Sequence, residues 1–203
     1  MRLHDGRVAV VTGAAGGIGR EHAREFARQG ARVVVNDVGP AQDVVDEIVA
    51  AGGEAVANND DISDWDGAGG LIATALDAFG DLHVLVNNAG ILRDKMFVNM
   101  DIDMWDAVIR VHLRGTFAPT RHAVAYWRQR HKSCEPVSHP RVINTSSPSG
   151  LYGNPGQSNY GAAKAAIAAF TVILADELGR MGVTVNAIAP SALTQMTQGL
   201  ETY

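Results

Sequence analysis

RVAVVTGAAGGIGREHAREFARQGARVVVND, residues 7–37, carries the pattern from which the fold can be read. Arg7 to Thr12 is short, valine-rich and flanked by Gly6 and Gly13, as a strand buried on both faces would be. Gly13-Ala14-Ala15-Gly16-Gly17-Ile18-Gly19 follows without a gap, and Arg20 to Gln29 then carries a helical pattern stopped by Gly30. A strand, a glycine-rich turn and a helix start, in that order, present free backbone N–H groups and the positive end of a helix dipole to a phosphate. Turns are glycine-rich for many reasons, so this spacing alone is a weak signal. The next segment strengthens it. Arg32 to Asn36 reads as a second strand ending in Asp37, where a carboxylate is placed to accept both ribose hydroxyls of an adenine nucleotide. The competing reading of Asp37 is a helix cap or turn residue. An acid there also repels a ribose 2′-phosphate, and Ala15 supplies no cation in the turn, so NAD is favoured over NADP.

The alternation continues downstream. Gln42 to Ala51 reads as helix, Glu54 to Asn58 as strand, Asp66 to Phe79 as helix and His83 to Asn87 as strand, with glycine stops at Gly52-Gly53 and Gly80. Such alternation implies right-handed crossovers and an α/β fold, a Rossmann-type doubly wound parallel sheet with helices on both faces. Asp61 closes the third strand within reach of an adenine amino group, and equally reads as a turn-capping residue. Asn87-Asn88-Ala89-Gly90 ends the fourth strand at the carboxyl edge, where ligands bind in open α/β sheets. Asp103 to Arg130 reads as one long helix with a kink at Pro119, and Gln129 to Pro140 as a polar surface loop whose basic residues meet solvent. Arg141 to Thr145 forms a fifth strand that delivers Ser146 and Ser147 to the same edge. A Gly- and Pro-rich loop, a helix from Asn159 to about Met181 and a sixth strand, Val183 to Ile188, complete the pattern before Pro190 turns over that edge again.

Composition limits what such a chain does. At 203 residues, 46% hydrophobic and 19% charged, it suits one domain over residues 1–203, and no window approaches a membrane-spanning apolar run. A net charge of −5 argues against nucleic acid or an anionic bilayer as a partner and leaves small molecules or further copies of the chain. Cys134 is the only cysteine, so an intramolecular disulfide and a cysteine-rich metal site are excluded, and no metal is expected. The N-terminal residues lack an export pattern, and a cytoplasmic location is the default expectation.

Chemistry concentrates in SPSGLYGNPGQSNYGAAK, residues 147–164. Tyr160 and Lys164 lie four apart, hence on one helix face about a turn apart. A cation near a phenol favours the phenolate and lowers its pKa toward the working range of a general acid or base. An isolated pair of this kind is more often an ordinary surface Tyr and Lys. Its position, following Ser147 at the ligand-binding edge, shifts the reading to catalysis.

The sequence resembles members of the short-chain dehydrogenase/reductase family, through TGAAGGIG, NNAG and the Ser147, Tyr160, Lys164 spacing, in register from about Arg7 to Met196. Within that family, NNAGILRDKMF, VHLRGTF and SGLYGNPGQSNYGAAK are most similar to the dehydrogenase unit of the peroxisomal multifunctional enzyme type 2 group and its bacterial single-domain relatives. The resemblance implies NAD-dependent oxidation of hydroxyacyl-CoA or steroid-type thioesters by a homodimer or homotetramer. It implies catalytic roles for Ser147, Tyr160 and Lys164, and for His112 where most of the family has Asn and holds a water in a proton path. It also implies nucleotide contacts from Gly13, Gly16, Gly17, Ile18, Gly19, Asp37, Asp61, Ile62, Asn88, Ala89, Gly90, Tyr160, Lys164 and Pro190. An isolated His on a helix is more often a packing residue. Two other readings compete: an acyl carrier protein thioester reductase, against which Asp37 counts, and a non-catalytic NAD(H)-sensing protein, against which the complete Ser, Tyr and Lys set counts. Family members continue with a helix and a seventh strand beyond the Pro190 to Thr197 segment. Because the sequence stops at Tyr203, a sheet lacking its last strand is expected.

Overall fold

A computed structural model describes residues 2–192. Strands β1 (Val8–Thr12), β2 (Arg32–Asn36), β3 (Glu54–Asn58), β4 (Val84–Asn87), β5 (Arg141–Thr145) and β6 (Thr184–Ile188) form one sheet in the order β3-β2-β1-β4-β5-β6, every pair parallel. The order reverses between β1 and β4, which opens a crevice at their carboxyl ends.

Alternation along the strands builds two cores. Val8 and Val10 face α3 (Trp65–Phe79) and α5 (Gly115–Lys132), joining Leu71, Leu82, Leu85 and Trp127. Ala9 and Val11 point the other way, toward α1 (Gly17–Arg28) and α2 (Ala41–Ala50), with Ala23, Ala27, Val44 and Ile48. A strand apolar at every position is thus buried on both faces, as its composition implies. The alanines of α1 let that helix lie close to the sheet. Asp64 caps α3, accepting from the backbone N–H of Asp66 and of Gly67 at 3.0 Å each.

Two segments differ from the sequence reading. The expected helix over 103–130 is divided: α4 (Ile102–Ile109) runs into a π turn at Arg110–Arg114, and α5 then continues to Lys132, inside the expected loop. The irregularity therefore lies upstream of Pro119, which sits in regular α5. The Gly115 N–H reaches back to Arg110 O and also to His112 O. A Cβ on Gly115 would stand 2.2 Å from Ile62 Cδ1, so a larger residue there would displace the end of the Ile62 side chain. The second difference is α6 (Pro148–Tyr152), a short helix where a loop was expected; Ser147 caps it and Pro148 occupies its first turn. The last helix, α7 (Ser158–Gly179), begins one residue before its expected start.

At the sheet edge β6 pairs with β5, and among the described residues no strand lies on its other side. Residues 193–197 of the Pro190 to Thr197 segment fall outside the described residues.

Candidate active site

The crevice above β1 and β4 is a cleft of about 440 Å³, lined at one end by Gly13, Gly17, Ile18 and Asp37 and at the other by Ser147, Tyr160 and Lys164. Asn88, Gly90, His112 and Pro190 also line it. Gly13 has φ +63, and a Cβ on it would stand 2.6 Å from Ala89 Cα, so the turn accepts only glycine there. Asn88 then fastens the turn: its Nδ2 donates to Thr12 O and Gly13 O at 3.0 Å each. Thr12 Oγ1 accepts from the backbone N–H of Asn88 and of Ala89 at 3.0 and 3.1 Å. NNAG is thus a clamp on the first turn as much as a lining. The Asp37 carboxylate bridges the mouth of the turn, accepting from Ala15 N at 3.0 Å and from Gly39 N at 2.8 Å.

At the other end, β5 and α7 bring Ser147, Tyr160 and Lys164 together. Ser147 Oγ accepts from Ser149 N at 3.2 Å. Lys164 Nζ lies 5.6 Å from the Tyr160 ring centroid and donates to Thr145 O at 2.5 Å. Lys164 is 3% exposed, and burial lowers its pKa to about 7. Burial acts on Tyr160 in the opposite sense, raising its pKa; a hydrogen bond from Ser147 offsets part of this, and the charge of Asp94 adds to it. The lowering of Tyr160 by Lys164 expected from their spacing is therefore not the dominant effect in this arrangement. Burial raises the phenol, and Lys164 directs its Nζ at the Thr145 carbonyl.

His112 sits in the π turn, 1% exposed, with its ring edge-on to Tyr160 at 5.1 Å. Its Nε2 is 3.1 Å from Ile91 N and 2.8 Å from Ile91 O, and the choice between them fixes the tautomer. Nδ1 is buried without a hydrogen-bond partner among the described residues. Burial, then the neighbouring Lys164 charge, lower its pKa to about 3, so the ring is neutral at physiological pH. Gly90 makes room for it: a Cβ there would lie 2.3 Å from His112 Cε1.

Several nucleotide-contact candidates from sequence make contacts within the chain in this arrangement. Asp61 accepts from Ser63 N and Ser63 Oγ at 2.8 and 2.6 Å and pairs with Arg110 at 2.8 Å, and it does not line the cleft. These bonds to Ser63 are those of a turn-capping residue. Ile62 belongs to the core. Gly19 packs under the turn, where a Cβ would stand 2.2 Å from Gly13 O and 2.4 Å from Asn88 Nδ2. Ala89 backs Gly13, and Gly16 precedes α1 with open space at its Cβ position. Sequence reasoning missed Thr12, Asp94, Ser149, Asn154, Gln157 and Asn159. Asn159, fully buried, donates to Arg93 O and Met104 O and accepts from Tyr160 N at 2.7 Å, anchoring the start of α7. Its place directly before Tyr160 was the available signal.

The family described as short chain dehydrogenase matches residues 7–202. The chain is 54% identical over 200 residues to a hydroxyacyl-CoA dehydrogenase, ChsB1, of Mycobacterium tuberculosis, covering 95% of this chain and 63% of that protein. It is 45% identical to peroxisomal multifunctional enzyme type 2 of Drosophila melanogaster, over 97% of this chain and 33% of the other. It is 46% identical to a 3-oxoacyl-[acyl-carrier-protein] reductase of a Synechocystis species, over 96% and 77%. The chain thus spans less than two thirds of the first two of these curated relatives. A crystal structure of a short chain dehydrogenase from Mycobacterium avium superposes with a TM-score of 0.92 at 58% identity, covering 94% of this chain and 71% of that one. Glycine turn, clamp and Ser-Tyr-Lys cluster on one parallel sheet, together with a match running almost end to end, place the chain in the short chain dehydrogenase family.

Proposed function

We propose that the protein is an NAD-dependent oxidoreductase that moves a hydride between the nicotinamide and a secondary alcohol or ketone, with a hydroxyacyl-CoA or steroid-type thioester as substrate. The observation that carries this reading is the convergence of Ser147, Tyr160 and Lys164 at one end of a cleft whose other end is a glycine turn closed by Asp37. The residues fit a dinucleotide: glycines would let a pyrophosphate approach the backbone, and Asp37, at the mouth of the turn, would accept from the adenosine ribose hydroxyls. Asp37 also disfavours a 2′-phosphate, which supports NAD over NADP. The name of the ChsB1 relative supports the acyl-CoA class.

When bound, the nicotinamide supplies the hydride acceptor or donor. In the oxidising direction Tyr160, as phenolate, takes the hydroxyl proton while the hydride leaves the same carbon. Ser147 hydrogen-bonds the substrate oxygen and steadies its changing charge. Lys164, buried beside the phenol, favours the phenolate whenever it is protonated and would hold the nicotinamide ribose. Neutral His112 packs against the Tyr160 ring and fixes its plane; any part it takes in proton transfer runs through the single free ring nitrogen or its backbone carbonyl.

Association of copies goes with this reading. α5 and α7 flank a hollow of about 730 Å³ lined by Phe117, Val124, Phe170 and Leu174, with Phe117 and Ile173 exposed. We assign that face to a homodimer or homotetramer contact.

Tyr160→Phe tests the function: turnover of 3-hydroxyacyl-CoA falls by about 10²- to 10⁴-fold, while NADH binding, read by fluorescence, stays near wild type. Retained turnover in that variant refutes the role of Tyr160. Preference for NADPH and for acyl carrier protein thioesters in a substrate panel would instead favour the reductase reading that the Synechocystis relative suggests. NADH binding with no turnover of any alcohol would favour the sensor.

A further inference from the structure

Arg93, Asp94 and Lys95, just after the NNAG clamp, are stitched to the start of α7 from both sides. Asn159 Nδ2 donates to Arg93 O at 3.0 Å, and Lys95 N donates to Gly156 O at 2.8 Å. Between these two ties, Asp94 Oδ2 accepts from Gln157 Nε2 at 2.7 Å. Gln157 is 5% exposed, and its Oε1 accepts from Ser149 Oγ at 2.8 Å and from Asn154 Nδ2 at 2.9 Å. Ser149, Asn154 and Gln157 all line the cleft beside Tyr160.

The directions of these bonds are not free. An ionised carboxylate only accepts, so it takes the NH₂ end of the Gln157 amide. The carbonyl end is then turned to Ser149 and Asn154, and both must donate to it. A neutral side chain at position 94 would remove that constraint, because a Gln amide fits either way round when its partner both donates and accepts.

We propose that Asp94 is a positioning residue which, through Gln157, sets the hydrogen-bond direction of this wall of the cleft, leaving Ser149 Oγ as an acceptor and one Asn154 N–H as a donor for the substrate. The inference rests on the reading of the cleft as a hydride-transfer site. It explains why a carboxylate stands here at a cost. Asp94 Oδ1 is buried without a hydrogen-bond partner among the described residues, and the Asp94 charge works against the phenolate of Tyr160. The other titratable groups around Tyr160 are Lys164, one turn along α7, and His112 in the π turn. Neither touches the Asp94 carboxylate by any hydrogen bond or ion pair among the described residues.

Three variants of the full-length protein test this: Asp94→Asn, Gln157→Glu and the two combined. In the double variant the carboxylate moves to position 157, where the amide introduced at position 94 donates to one oxygen and Ser149 and Asn154 donate to the other. Every bond direction is restored. Each single variant is expected to lose about 10- to 100-fold in kcat/KM for hydroxyacyl-CoA oxidation, mainly through KM, and the double to return within a few-fold of wild type. Asp94→Asn is further expected to shift the alkaline rise of the oxidation rate to lower pH. A double variant no more active than its singles overturns the proposal, as does Asp94→Asn with wild-type kcat/KM and KM. A wild type that binds NADH but oxidises no secondary alcohol overturns the underlying reading, and this one with it.

Discussion

Tyr160 and Lys164 respond to the same burial with opposite shifts, because one is charged when it loses a proton and the other when it gains one. On the proposed mechanism oxidation draws on the Tyr160 phenolate, which is scarce below the raised Tyr160 pKa. Steady-state profiles should therefore show log kcat/KM for oxidation climbing by about one unit per pH unit through neutral and alkaline pH, while reduction, which uses the phenol, stays level over the same range. His112 makes a second pH prediction, about stability. Its pKa falls from 6.5 when unfolded to about 3 when folded, so between those values the unfolded chain binds the extra proton. Stability is therefore lost as pH drops from 6.5 toward 3. His4, His22 and His83 are also lowered and add to the same slope. Urea midpoints measured across that window should fall less steeply in His112→Asn than in wild type; an unchanged slope would mean that the ring is solvated in the folded protein.

The first turn gives two glycines with different duties. A Cβ on Gly19 would stand 2.2 Å from Gly13 O and 2.4 Å from Asn88 Nδ2, whereas Gly16 has extended backbone and open space at that position. Gly19→Ala should cost on the order of 1–3 kcal/mol in denaturant unfolding and weaken NADH binding, since the clamp from Asn88 must give way. Gly16→Ala should leave stability near wild type. The strand, turn and helix to which these glycines belong were legible in the sequence because hydrophobic period and glycine spacing are local properties. The same holds for the other strands and for the Ser147, Tyr160 and Lys164 set, whose spacing survives translation into a helix face. What was not legible depends on distant partners. Beside the π turn at Arg110–Arg114, Ile62 lies over Gly115 and Ile91 holds His112, neither of which is near in sequence. The Asp94 to Gln157 bond joins residues 63 apart. Asp61 left two readings open at the sequence level, and its pairing with Arg110, far along the chain, was not legible in either.

At the scale of the molecule, the α5 and α7 face leads to a prediction about assembly. Ile173 is 55% exposed, so Ile173→Glu carries little folding cost, and sedimentation velocity should show a smaller species than wild type. Equal sedimentation of the two would remove this face from consideration. The sheet order has a different consequence, for the time course of folding. β1, β2 and β3 are joined by successive crossovers, but β1 also pairs with β4, where Ala9 meets Val84 across 75 positions of chain. Closing that span is entropically slower than forming the local units. Asn88, the residue that ties down Thr12 and Gly13, arrives only with β4. A half-folded chain therefore has its glycine turn without the clasp. In refolding experiments the recovery of NADH fluorescence should trail the recovery of far-ultraviolet circular dichroism, and NADH added at the outset should raise the yield by capturing chains whose two halves have just met.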